Sequence, residues 1–96
     1  MGLFGSRYLR DLETEVQVGL SHFQMVSLGS SDPGILEEVV WTDSLSRAQE
    51  AARLCLTDGS ERAMRRVITT STKGFLPHIS PDLQDEALRW VEAIYP

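Results

Sequence analysis

The sequence is poor in the residues that form disulfides, metal sites and membrane spans. It holds one cysteine and two histidines among 96 residues. An internal disulfide is therefore impossible, and a zinc site lacks its usual sulfur and nitrogen ligands. No run of about 18 apolar residues occurs, which argues against a transmembrane helix. We expect a protein of a reducing compartment such as the cytoplasm, with no metal and no cofactor.

Basic residues are also scarce. Nine Lys and Arg stand against fourteen Asp and Glu, which gives a formal net charge of −5, and Lys73 is the single lysine. Nucleic acid is disfavoured as the main partner, because phosphate contacts come from Lys and Arg. Hydrophobic residues make up 42% of the chain. That proportion is ordinary for a globular domain, so a folded chain is expected.

The patterns that mark common catalytic sites are missing as well. No nucleophile elbow or glycine-rich phosphate loop occurs in the sequence. Cys55 falls on an apolar helical stripe, which predicts a buried structural thiol and not a nucleophile. The carboxylate pairs Glu13/Glu15 and Glu37/Glu38 suit solvated helix faces better than an acid–base pair. We therefore predict a non-enzymatic protein with no catalytic residue.

What the chain does contain is helical periodicity. Apolar residues recur at helical spacing and predict five helices, at about 7–28, 33–41, Leu45–Thr57, 60–70 and 81–95. The expected fold class is all-α, a compact bundle of about five helices. One domain, 1–96, is expected, with 1–6 as a flexible N-terminal segment. The sequence leaves open whether the natural chain continues beyond Pro96.

The ends of these helices are predicted from capping residues. Gly29 is expected to end the first helix. Ser44 or Asp43 is expected to cap the third helix, and Ser80 the fifth. The Thr- and Ser-rich run 69–74 is expected to lie beyond the end of the fourth helix, because these residues are poor helix formers.

An alternative interpretation places strands in the first half of the chain. Val16, Val18 and Leu20 alternate, as in a half-buried strand, with Gly19 between them. The alternative fold is α+β, with a hairpin at 14–42 followed by helices. We prefer the helix, because its apolar stripe covers more residues than the alternating run.

The N-terminus carries the most specific motif. Gly2 follows the initiator methionine and Ser6 stands four residues later, a pattern that resembles the N-myristoylation signal. Leu3 and Phe4 are expected to insert shallowly beside the acyl chain. One myristoyl chain binds membranes only marginally, so a second signal is needed.

Arginines are the candidates for that second signal. Arg7 and Arg10 follow the N-terminal motif, and Arg62, Arg65 and Arg66 lie on one side of the fourth predicted helix. Each basic residue near an anionic membrane contributes on the order of 1 kcal/mol. These five residues are the predicted contacts with an anionic membrane surface or another anionic partner. The alternative interpretation is a solvated arginine face.

A compact helical domain behind a myristoylated glycine is similar in organisation to retroviral matrix domains. The resemblance rests on Gly2 and Ser6. It implies a membrane-associated adaptor or matrix-like domain at the inner face of a membrane. Matrix domains usually carry a strong basic patch, whereas this chain is acidic overall.

The second hypothesis is a soluble partner-binding or inhibitor protein without a lipid anchor. Trp41 is the candidate protein-binding residue, because Trp is enriched at interface hot spots, although a core position is the alternative. The Ala-rich third helix is a further candidate surface. The sequence does not predict which protein is the partner, and a homo-oligomer is one possibility.

Overall fold

The computed structural model describes residues 7–95, which fold into four α-helices with no strand among them. The helices are α1, Arg7–Ser27; α2, Leu45–Thr57; α3, Glu61–Phe75; and α4, Pro81–Ile94. A π-helical segment, Leu36–Ser44, precedes α2, and a 3-10 turn, Leu76–His78, follows α3. The all-α prediction is confirmed. The count of five helices is one too many, and the alternative hairpin at 14–42 is wrong.

The helical stripe decides the fold of the first segment. The buried residues of α1 recur at helical spacing and are Leu12, Val16, Gly19, Leu20 and Phe23. A strand would place Val18 on the same face as Val16 and Leu20, yet Val18 is only half-buried. Gly29 ends the helix as predicted, with φ of 75°. Ser30 N–H donates to the Met25 carbonyl at 2.8 Å, and Gly29 N–H to Val26 at 3.0 Å, a Schellman ending.

The predicted second and third helices form one continuous helical run. Ser44 has helical backbone angles and makes no capping hydrogen bond, so the predicted cap at Ser44 or Asp43 is wrong. Leu36, Val40 and Ser44 are all buried. This four-residue spacing keeps one side of the segment against the core. Burial of these residues therefore keeps the chain helical where the capping residues predicted the start of a separate helix.

The fourth predicted helix extends five residues past its predicted end. α3 continues to Phe75, so the expected loop at 69–74 is wrong. Ser71 and Thr72 are buried. The Thr72 hydroxyl donates to the Ile68 carbonyl at 2.7 Å. Packing against α1 therefore outweighs the poor helix propensity of the Thr- and Ser-rich run.

The four helices run alternately up and down. The Ser80 N–H donates to the Ser27 hydroxyl at 2.9 Å, which joins the end of α1 to the start of α4. Ser80 starts α4 as predicted, but it makes no side-chain cap. The Tyr95 hydroxyl donates to Glu61 at 3.0 Å, which joins the end of α4 to the start of α3. α1 and α3 therefore begin at the same end of the bundle and run parallel.

Trp90 is the centre of the core. It is fully buried, and its indole N–H donates to the Val40 carbonyl at 2.9 Å. The Phe23 ring lies 6.4 Å away, tilted by 60°. The alanines Ala48, Ala51 and Ala52 of α2 are also buried. The Ala-rich face proposed as a partner surface is therefore filled by the bundle itself.

Candidate functional site

Charge is strongly segregated onto α3. This helix carries Arg62, Arg65, Arg66 and Lys73 but only one acidic residue, Glu61. Its net charge is +3, which leaves −8 for the rest of a chain whose total is −5. Among residues 7–95, α3 is thus the strongly basic helix of a protein that is acidic overall; α2 carries +1.

The basic residues of α3 do not all point the same way. Met64, Ser71 and Thr72 are buried and mark the inward side of the helix. At 100° per residue, Arg62, Arg66 and Lys73 fall within about 40° of one another on the opposite side. All three are exposed. We call these three residues the cationic face, and at 1.5 Å per residue it is about 16 Å long.

Arg65 is also exposed, but it is paired with neighbouring side chains and lies apart from the cationic face. Its guanidinium bonds to Glu61 at 3.0 Å and lies 4.8 Å from the centre of the Tyr95 ring. The hydrogen bonds from Arg65 and then from Tyr95 lower the pKa of Glu61. Arg65 therefore ties α3 to the end of α4. Among residues 7–95, Arg62, Arg66 and Lys73 make no ion pair.

The fold brings the two predicted arginine groups to one end of the bundle. Arg7 and Arg10 lie in the first turn of α1, and both are exposed. Glu13 and Thr70 line the same cleft between the parallel helices α1 and α3. Arg10 stands about one turn before Glu13, and Arg66 one turn before Thr70. Arg10 and Arg66 therefore lie at a similar level along the bundle axis.

The sequence missed one residue of the cationic face. Lys73 was expected to lie in a loop beyond the fourth helix, and the continued helix places it in line with Arg62 and Arg66. The predicted lipidation and membrane contacts Gly2, Leu3, Phe4 and Ser6 lie outside the described residues, as does the flexible segment predicted at 1–6.

Trp41 lies at the boundary between core and surface. It belongs to the π-helical segment and is half-buried, and its indole N–H donates to Glu86 at 3.0 Å. Together with Glu37, Glu86 and Arg89, it lines a surface cleft of about 410 Å³. Its exposed part is available to a partner, but its polar edge is already bonded to α4.

The side chains most suited to chemistry are buried or dispersed. Cys55 is fully buried. Burial, followed by the charges of Asp58 and Asp11, raises the pKa of its thiol. The His22 ring bonds to the Val18 carbonyl at 2.7 Å. Within residues 7–95, no group of three or more His, Cys, Asp or Glu is placed to hold a metal ion.

Two further findings bear on the site. Along the described part of the chain, no helix has the length and apolar character needed to cross a bilayer. Comparisons of the chain with models of protein families, with curated proteins and with solved structures gave no significant match.

Proposed function

We propose that this chain is a non-enzymatic interaction module that docks on an anionic membrane surface and is anchored there by an acyl chain on Gly2. The observation that carries the proposal is the segregation of charge, with +3 on α3 and −8 elsewhere. The module is an adaptor at the inner, cytoplasmic face of the membrane and holds a protein partner.

Electrostatics favours one orientation on the membrane. An anionic surface attracts α3 and repels the acidic remainder of the protein, so the cationic face turns toward the lipid. Three basic residues near the surface contribute on the order of 3 kcal/mol in total. Because charge attraction decays over about 10 Å at 0.1 M salt, residues on the far side of the bundle add little.

The position of α1 supports joint action of the anchor and the cationic face. Arg7 begins α1 at the end of the bundle where α3 also begins. Gly2 is five residues before Arg7 in the sequence. Six extended residues span roughly 20 Å, so an acyl chain on Gly2 reaches the membrane that Arg62 and Arg66 contact. Two weak signals acting together give stable binding where one myristoyl chain does not.

The acyl anchor on Gly2 is tested by the intact mass of the protein and by its partition onto lipid vesicles. In cells with the acylating enzyme, the purified protein should lack Met1 and gain the mass of one myristoyl group, about 210 Da. Gly2→Ala should abolish the gain and weaken binding to phosphatidylserine vesicles. An unmodified mass from such cells would remove the acyl anchor from the proposal.

A second candidate function, a soluble partner-binding or inhibitor protein, is favoured by a different surface. Leu28 is 68% exposed and Met25 is 40% exposed, both near the end of α1 that lies away from Arg7. Three residues apart at the end of α1, the two exposed side chains lie side by side and would form the centre of an apolar contact. If a second copy of the chain covers them, light scattering across a concentration series will detect a dimer that Leu28→Ser dissociates.

A further inference from the structure

A second cleft, on the α1–α3 side of the bundle, has the features of a small-molecule site. It lies between the parallel helices, with a volume of about 350 Å³. Gln17 and Gln24 line it from α1, and Thr70, Ser71 and Phe75 line it from α3. This volume falls at the lower end of the range for ligand pockets.

Ser71 is the residue that points to a ligand. It is 7% exposed, it lines the cleft, and its hydroxyl has no hydrogen-bond partner among residues 7–95. Other buried or half-buried hydroxyls on these helices bond to a carbonyl in the preceding turn. Thr72 bonds to Ile68 at 2.7 Å, and Ser27 bonds to Phe23 at 2.9 Å. Ser44 is the one described residue with a fully buried, unpartnered side-chain oxygen, so the Ser71 hydroxyl keeps contact with the open cleft. It is therefore free to exchange that contact for a hydrogen bond with a ligand hydroxyl.

The remaining hydrogen-bonding groups of the cleft are also uncommitted. Within the described chain, the carboxamides of Gln17 and Gln24 form no hydrogen bond, whereas Gln49 bonds to Ala93 at 2.9 Å and Gln84 bonds to Ile79 at 2.9 Å. A carboxamide offers two donors and one acceptor, and a hydroxyl is both donor and acceptor. Beside Glu13 and His78, the cleft therefore presents a set of neutral groups that can each donate and accept hydrogen bonds.

Gly74 keeps the cleft open. It lies in the last turn of α3 and lines the cleft, and a Cβ built on it would meet no atom within 4 Å. Phe75, half-buried beside it, supplies an apolar wall. Glycine is a poor helix former, so its presence lowers the stability of this helical turn while leaving the cleft free of a side chain.

We propose that this cleft binds a neutral saccharide. A sugar ring carries several hydroxyls, each a donor and an acceptor, which match the two carboxamides and the Ser71 hydroxyl. Its apolar face packs on Phe75. Glu13 lines the cleft as well, and its carboxylate disfavours an acidic ligand. A single sugar ring in a shallow cleft of this volume should bind with a dissociation constant on the order of millimolar.

The test is a titration of the isotope-labelled full chain with N-acetylglucosamine, galactose or glucuronate, followed by NMR of the amide groups. At least one neutral sugar should shift the side-chain amide signals of Gln17 and Gln24. The side-chain amide of Gln49, on the far helix α2, should not move. Glucuronate should bind more weakly. No shift at Gln17 or Gln24 with either neutral sugar, or stronger binding of glucuronate, would overturn the proposal.

Three variants separate binding from folding. Gly74→Met should fill the cleft and abolish the shifts, and the chain should stay folded because the added side chain enters open space. Thr69→Met, exposed on the α4 side of the same helix, is the matched control and should bind normally. Ser71→Ala should weaken binding about tenfold, the effect of one hydrogen bond, with no loss of thermal stability. Normal binding by Gly74→Met would place the sugar elsewhere and contradict the proposal.

Discussion

Replacing Gly19 by alanine tests the packing of the core most sharply. Gly19 is buried in the middle of α1. A Cβ built on it would overlap the Cη2 and Cζ2 atoms of Trp90 and would lie 2.9 Å from Cζ3. Trp90 is fully buried, bonded to the Val40 carbonyl and packed on Phe23, so the ring has no free space in which to retreat.

The expected change in the free energy of unfolding is the sum of opposing effects. Alanine in place of glycine within a helix usually gains up to about 1 kcal/mol. Overpacking of a filled core costs typically 1–3 kcal/mol. If the Trp90 ring moves, its buried indole N–H loses its bond to the Val40 carbonyl, which costs about 1–3 kcal/mol more. The net loss in the free energy of unfolding should therefore be about 2–3 kcal/mol.

The assay is urea unfolding followed by far-ultraviolet circular dichroism. Gly74→Ala is the matched control, because it is also helical but has open space at the Cβ position. It should gain about 0.5–1 kcal/mol. In a Trp90→Phe background, Gly19→Ala should cost less, because the smaller ring leaves room for the methyl group. If Gly19→Ala stabilises the wild-type chain as Gly74→Ala does, the account of this contact is wrong.

Two other predictions concern buried groups. Ser44 is fully buried and its hydroxyl has no hydrogen-bond partner among residues 7–95. Ser44→Ala should leave the free energy of urea unfolding unchanged or raise it by about 1 kcal/mol, and a loss of that size would show that the hydroxyl is bonded. The Cys55 thiol should resist alkylation in the folded protein. Because burial raises its folded pKa, its contribution to stability is complete below the ordinary thiol pKa of about 8.5 and is lost as pH rises through the folded value. Cys55→Ala should reduce the alkaline fall in unfolding free energy, and an unchanged pH profile would contradict this assignment.

Helices with a clear apolar stripe could be predicted from the sequence, and their boundaries less well. α2 begins and ends at the predicted residues, Leu45 and Thr57. α1 and α4 match their predicted bounds within about one residue, because each has a strong stripe and a sharp end signal at Gly29 or Pro81. The break before α2 and the early end of α3 were wrong. In both places local propensity opposed tertiary burial, at Ser44 and at Ser71–Thr72, and burial prevailed.

The candidate site could be predicted only in part for the same reason. The arginines of α3 were visible as a group in the sequence. The spacing of Glu61 and Arg65 allowed an ion pair within one helix, a signal that was missed. The contact of Arg65 with Tyr95 could not be predicted, because it depends on where α4 ends. The cleft beside Gly74 forms only because α3 continues past residue 70. The poor helix propensity of residues 69–74 predicted a loop there, so the cleft could not be predicted from the sequence.

The central claim is that the cationic face docks on an anionic membrane. Its most direct test compares the binding of the unacylated Arg62→Gln/Arg66→Gln variant and of the wild-type chain to phosphatidylserine-containing vesicles at low salt. Glutamine is chosen because it keeps the helix propensity of arginine. The control variant is Arg53→Gln/Arg89→Gln, which changes the net charge by the same amount at exposed positions on α2 and α4. Loss of two contacts should weaken partition about thirtyfold, while the control pair stays close to wild type. Equal weakening by both pairs, or by neither, would contradict the account.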